Sequence, residues 1–98
     1  MGAFSKLRSI DRVLALRDGA EIKVKYRELN TREILENLEK EETGKEQIVK
    51  SLAVFKSRIE GDKALIDQWW DEQMEDSNLF AIGSQWQAEL EEQTAKKN

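Results

Sequence analysis

LALRDGAEIKVKYRELNTREILENL, residues 14–38, decides how the 98-residue chain folds. In Ile22, Lys23, Val24, Lys25, Tyr26 and Arg27 the apolar residues alternate with cations, the period-two signature of a strand with one face buried. Upstream, Leu14 and Leu16 share a face, and Asp18-Gly19 marks a turn between the two runs. A two-residue Asp-Gly loop would pair Leu14 with Lys23 and put the leucines among the cations. Side chains change face at every residue, so an odd loop is required to bring Leu14 and Leu16 to the face of Ile22, Val24 and Tyr26. The expected loop is Arg17, Asp18, Gly19, with Gly19 in the left-handed bulge position.

The same stretch then turns helical. Asn30 is followed three residues later by Glu33, the spacing of a capping box, and Leu29 and Ile34 flank it as a hydrophobic staple. Ile34, Leu35 and Leu38 are expected to lie over the hairpin's apolar face, since a two-stranded ribbon alone is marginal in water.

Before the hairpin, Phe4, Leu7 and Ile10 recur at helical spacing, so residues 1–11 read as an arm or a short helical turn. After it, residues 30–95 read as helices. The first spans about residues 31–42. The second is entered at Thr43, where Thr43 and Glu46 repeat the capping-box spacing, and carries Ile48, Leu52, Phe55 and Ile59 on one stripe. Gly61 and Asp62 either cap one helix and start another or mark a weak point in a longer one; the first is favoured. A third helix carries Leu65, Ile66, Trp69, Trp70 and Met74. Asp76, Ser77 and Asn78 form a loop, and a last helix, about residues 79–94, carries Leu79, Ile82, Gly83, Trp86 and Leu90. Residues 96–98 should fray. The expected fold is therefore a single α+β domain over residues 1–98, an N-terminal antiparallel β-hairpin packed against three to four α-helices.

Composition limits the chemistry. Hydrophobic residues make up 39% and charged residues 37%, so the core is thin and some apolar surface is expected to be completed by a partner or by weak self-association. With no Cys and no His, disulfides, thiolate or imidazole metal sites and the common nucleophile–base pairs are absent, and neither catalytic residues nor a cofactor is expected. No apolar run approaches the ~20 residues of a membrane span, and the first ten residues lack a signal-peptide core, so a cytoplasmic protein is expected. Charge is uneven: residues 1–32 hold eight Lys/Arg against four Asp/Glu, and residues 33–98 hold eight against sixteen. Such a layout orients protein partners, or is merely a basic strand face and solvated acidic helices.

Three clusters invite a site. Asp71 with Glu75, and Glu72 with Asp76, stand one helical turn apart, but without His or a ligand loop they read as a solvated acidic face rather than a metal site. Lys23, Lys25 and Arg27 alternate on one strand face; only Tyr26 interleaves with them, and it points the other way, while the acidic helices would repel a phosphate backbone, so they are candidate contacts for a protein rather than for nucleic acid. Trp69 and Trp70 lie about 100° apart on a helix, too far to share a narrow core line. Either a wide buried stripe takes both, or Trp70, with Met74 one turn on and with Trp86, forms a partner contact.

The run of residues 14–38 resembles the opening of the phage tail assembly chaperones. There a strand, a Gly turn and a basic second strand lead through an L-T-x-x-E junction into helices; here Leu29, Asn30, Thr31, Arg32 and Glu33 stand at that junction. The resemblance implies a non-enzymatic protein that binds the long helical tape measure protein and, further, tail tube subunits. The reading from residues agrees in kind, because amphipathic helices on a thin core suit helix-in-groove contacts. The alternatives are a small acidic regulator or inhibitor of a basic protein, and a hydrolase working through a carboxylate pair.

Overall fold

The computed structural model of the chain describes residues 7–39 and 44–96. Strands β1 (Ser9–Ala15) and β2 (Glu21–Arg27) form the hairpin, followed by helix α1 (Thr31–Glu39), helix α2 (Lys45–Ser57), a short strand β3 (Ile59–Glu60), and helices α3 (Lys63–Asp76) and α4 (Leu79–Lys96). The sheet is antiparallel in the order β1-β2-β3.

Register follows the odd loop. Leu14 pairs with Ile22, Arg12 with Val24 and Ile10 with Tyr26. Leu16 N–H donates to Ala20 C=O at 2.8 Å and Gly19 N–H to Leu16 C=O at 2.9 Å, which leaves Arg17, Asp18 and Gly19 as the loop, with Gly19 at φ 95°. Ile10, Leu14, Leu16, Ile22, Val24 and Tyr26 are accordingly buried on one face, while Val13 on the other is exposed. Strand pairing reaches back to Ser9, so residues 9–11 belong to the sheet, not to an arm.

Helices α2, α3 and α4 cover that face with Phe55, Ile66, Trp69, Trp70, Leu79, Trp86 and Leu90. Five rings make its centre: Tyr26 meets Phe55 and Trp86 edge-on at 5.5 and 5.4 Å, and Trp69 stacks on Trp86 at 6.0 Å. Tyr26, at 1% exposure, is where sheet and helices join.

Helix α1 does not cover the hairpin as expected: Ile34 and Leu35 remain 45% and 54% exposed. The capping box forms, with Glu33 N–H donating to Asn30 Oδ1 and Asn30 N–H to Glu33 Oε1, both at 2.9 Å. Rings from the later helices already occupy the sheet's inner face, so the apolar edge of α1 stays at the surface. The Leu38 side chain and Thr43 lie outside the described residues; α2 is preceded by Gly44, which has no side chain with which to cap it.

The break between α2 and α3 is a strand. Ile59 pairs with Tyr26 and Glu60 with Lys25, and Arg27 N–H donates to Arg58 C=O at 3.1 Å. Gly61 is needed there for closeness: a Cβ on it would stand 3.0 Å from Val24 Cγ1. Asp62 then caps α3, accepting from Leu65 N–H at 3.1 Å, and Asn78 caps α4 through Phe80 and Ala81.

Candidate interaction groove

Helices α2 and α4 run side by side in the same direction, since Phe55 packs on Gly83 and, one turn on, Arg58 reaches Gln87. With no side chain at Gly83, the Phe55 ring packs directly on α4. Beside this contact lies an open cleft of about 520 Å³, walled by Ser51 and Leu52 from α2 and by Phe80 and Ala88 from α4, and floored by Tyr26, Phe55 and Arg58. Phe80 is 53% exposed, and Ile48, one turn before Leu52 on α2, is 50% exposed.

At the polar end of the cleft, Arg58 is 8% exposed, the one charged side chain among the buried described residues. Its guanidinium lies 4.4 Å over the Tyr26 ring, Nε donates to Arg27 C=O at 2.8 Å and Nη2 donates to Gln87 Oε1 at 2.8 Å. Gln87 is held from its other side by donating Nε2 to Glu91 Oε2 at 3.0 Å. Burial pulls the Arg58 pKa below its ordinary value, opposed by Tyr26; Arg27 pulls with burial, and Glu33 and Glu28 oppose it.

The residues singled out from sequence are distributed differently. Trp70 and Trp86 are both buried, at 8% and 7%, so neither ring is a contact surface; of that group Met74 alone is exposed, at 57%. The wide stripe holds both tryptophans because α3 lies between two neighbours: Trp69 faces Trp86 of α4, and Trp70 faces Phe55 of α2 at 5.5 Å. Lys23 and Lys25 are exposed on the sheet's outer face, Lys25 near Asp11 at 3.5 Å. Arg27 leaves their row, because its guanidinium is taken by Glu33 and lies 3.4 Å from Glu60. The acidic residues of α3 clasp the hairpin turn: Arg17 Nε donates to Asp76 at 2.7 Å, its Nη2 to Glu75 at 3.1 Å and its N–H to Glu72 at 2.9 Å. This fork holds the Asp76 carboxyl below its ordinary pKa. Among the described residues no three His, Cys, Asp or Glu are grouped to hold a metal ion, and no helix is long and apolar enough to cross a membrane.

Sequence reasoning did not pick out Arg58, Phe80 or Gly83 as a group. One signal was present: Arg58 is a lone cation one turn after Phe55 on an otherwise apolar stripe. The fold and the cleft together define a small α+β protein with a helix-lined apolar groove. No family model matches the chain, and no curated protein or solved structure matches it either.

Proposed function

We propose that the protein is a non-enzymatic assembly chaperone that holds an amphipathic helix of its client in the α2–α4 cleft. The observation that carries this reading is the cleft itself, where Leu52 and Phe80 offer apolar surface beside a core whose aromatic rings are already mutually packed. The hairpin, glycine turn and capped helix at residues 14–38 support the resemblance to the tail assembly chaperones. On that reading the client is the tape measure protein of a long-tailed phage, with tail tube subunits as further partners, and the site of action is the host cytoplasm.

Two observations test it. The gene downstream should encode a long, helix-rich tape measure protein, and that protein, insoluble when made alone, should stay in solution and co-elute with the chain when the two are made together. A downstream gene of another kind, or a tape measure protein that gains nothing from the chain, overturns the assignment.

A further inference from the structure

We propose that Arg58 is the specificity-determining residue of the cleft, and that the helix seated there carries an Asp or Glu side chain in line with its apolar edge. The inference rests on the helix-binding reading and adds the chemistry of the helix.

A buried cation ordinarily has an ion-pair partner, because desolvating a charge is costly. Arg58 has no carboxylate within ion-pair distance among the described residues. The acids at the end of β2 are engaged elsewhere: Glu33 takes both ends of Arg27, and Glu28 takes Arg8 at 2.9 Å. Glu91 reaches Arg58 only through Gln87. The contacts that Arg58 does make are uncharged, a ring beneath, a main-chain carbonyl on Nε and a side-chain amide on Nη2, and Glu33 and Glu28 act on it only through space. Nη1 donates to none of the described residues, and the residue lines the cleft. A fixed guanidinium with a spare donor at the end of an apolar groove matches one carboxylate.

The surroundings select the source of that carboxylate. Glu91 lines the same end and repels any anion there, a polyanion more than a single carboxylate, so one negative charge fits better than a phosphate chain. The cleft extends along α4 for nearly three turns, from Leu79 to Ala88, with Leu79, Phe80 and Ala88 apolar and Ser84 and Gln87 polar, which suits an amphipathic helix passing through with a side-chain carboxylate facing Arg58.

The test uses the full chain and three synthetic helices of about 20 residues, each with leucines on one edge and lysines elsewhere. One has a Glu in line with the leucines, a second has Gln there, and a third has Gln and a free C-terminal carboxylate; the first two are amidated. The expected result by fluorescence anisotropy is that the Glu helix binds about tenfold or more tightly than either Gln helix, the scale of a charge-assisted hydrogen bond. Arg58→Gln should equalise the three. Should that variant fail to fold by near-UV circular dichroism, Arg58→Lys, which keeps the charge and loses the fork, should cut the preference several-fold. Equal binding of Glu and Gln helices to the unaltered protein overturns the role of Arg58 and leaves the groove reading standing. A preference that survives Arg58→Gln, or that follows the terminal carboxylate, overturns it too. If no helix binds, the groove reading fails and takes this inference with it.

Discussion

The Arg27 guanidinium and the Glu33 carboxylate meet in two parallel hydrogen bonds, Nη1 to Oε1 at 2.8 Å and Nη2 to Oε2 at 2.9 Å. The fork ties the last residue of β2 to the first turn of α1, and Glu33 also accepts the Asn30 N–H that closes the capping box. One carboxylate therefore fixes how the helix leaves the sheet.

That arrangement makes stability depend on pH. The Arg27 bonds, with a smaller contribution from the Asn30 N–H, hold the Glu33 pKa down to about 2 from 4.5. A depressed carboxylate stabilises the fold above its unfolded pKa, and the contribution is lost as pH falls through the folded value. Urea denaturation should therefore show stability declining from about pH 4.5 toward about pH 2. Glu33→Gln should flatten part of that slope; Glu28 and Asp76, depressed by Arg8 and Arg17, contribute to what remains.

Burial of Trp70 sets a second expectation. Trp70→Ala should cost about 3–5 kcal/mol in denaturant unfolding, because it empties a site packed against Phe55 and Trp69. Met74→Ala, one turn on and exposed, should stay within about 0.5 kcal/mol. Comparable losses for the two would contradict the packing described.

Two glycines should respond in opposite directions to the same change. Gly19→Ala places a Cβ at φ 95° and should destabilise by about 1–2 kcal/mol. Gly83→Ala sits in a helix with 3.6 Å to the Phe55 ring, ordinary contact, and should gain up to about 1 kcal/mol of helix propensity. The added methyl also enters the cleft, so Gly83→Ala should raise the melting temperature while weakening binding of a leucine-edged helix.

Phe80 separates binding from folding. It is half-exposed in the first turn of α4, where an acidic residue is favoured by the helix dipole. Phe80→Asp should leave thermal unfolding nearly unchanged and abolish binding of the same helix by anisotropy. Undiminished binding would remove the cleft from consideration as the contact.

The chain's local chemistry determined much of this protein. Alternation in residues 22–27 fixed the buried face, parity required the three-residue loop at Gly19, and the Asn30–Glu33 spacing set the start of α1, because each depends on neighbours within a few residues. Tertiary structure decided what those elements meet. Ile59 continues the helical stripe of Phe55 in sequence, yet it pairs with Tyr26 in the sheet, since Gly61 lets the backbone approach Val24 and the edge of β2 offers hydrogen bonds that a longer helix would leave unmet. Adjacent tryptophans look incompatible with one core line, but α3 packs against both α2 and α4 and so has two buried sides. The groove and its unpaired cation are further still from sequence: Arg58, Phe80 and Gln87 converge only because α2 and α4 run parallel over Gly83, a packing relation that no local periodicity encodes.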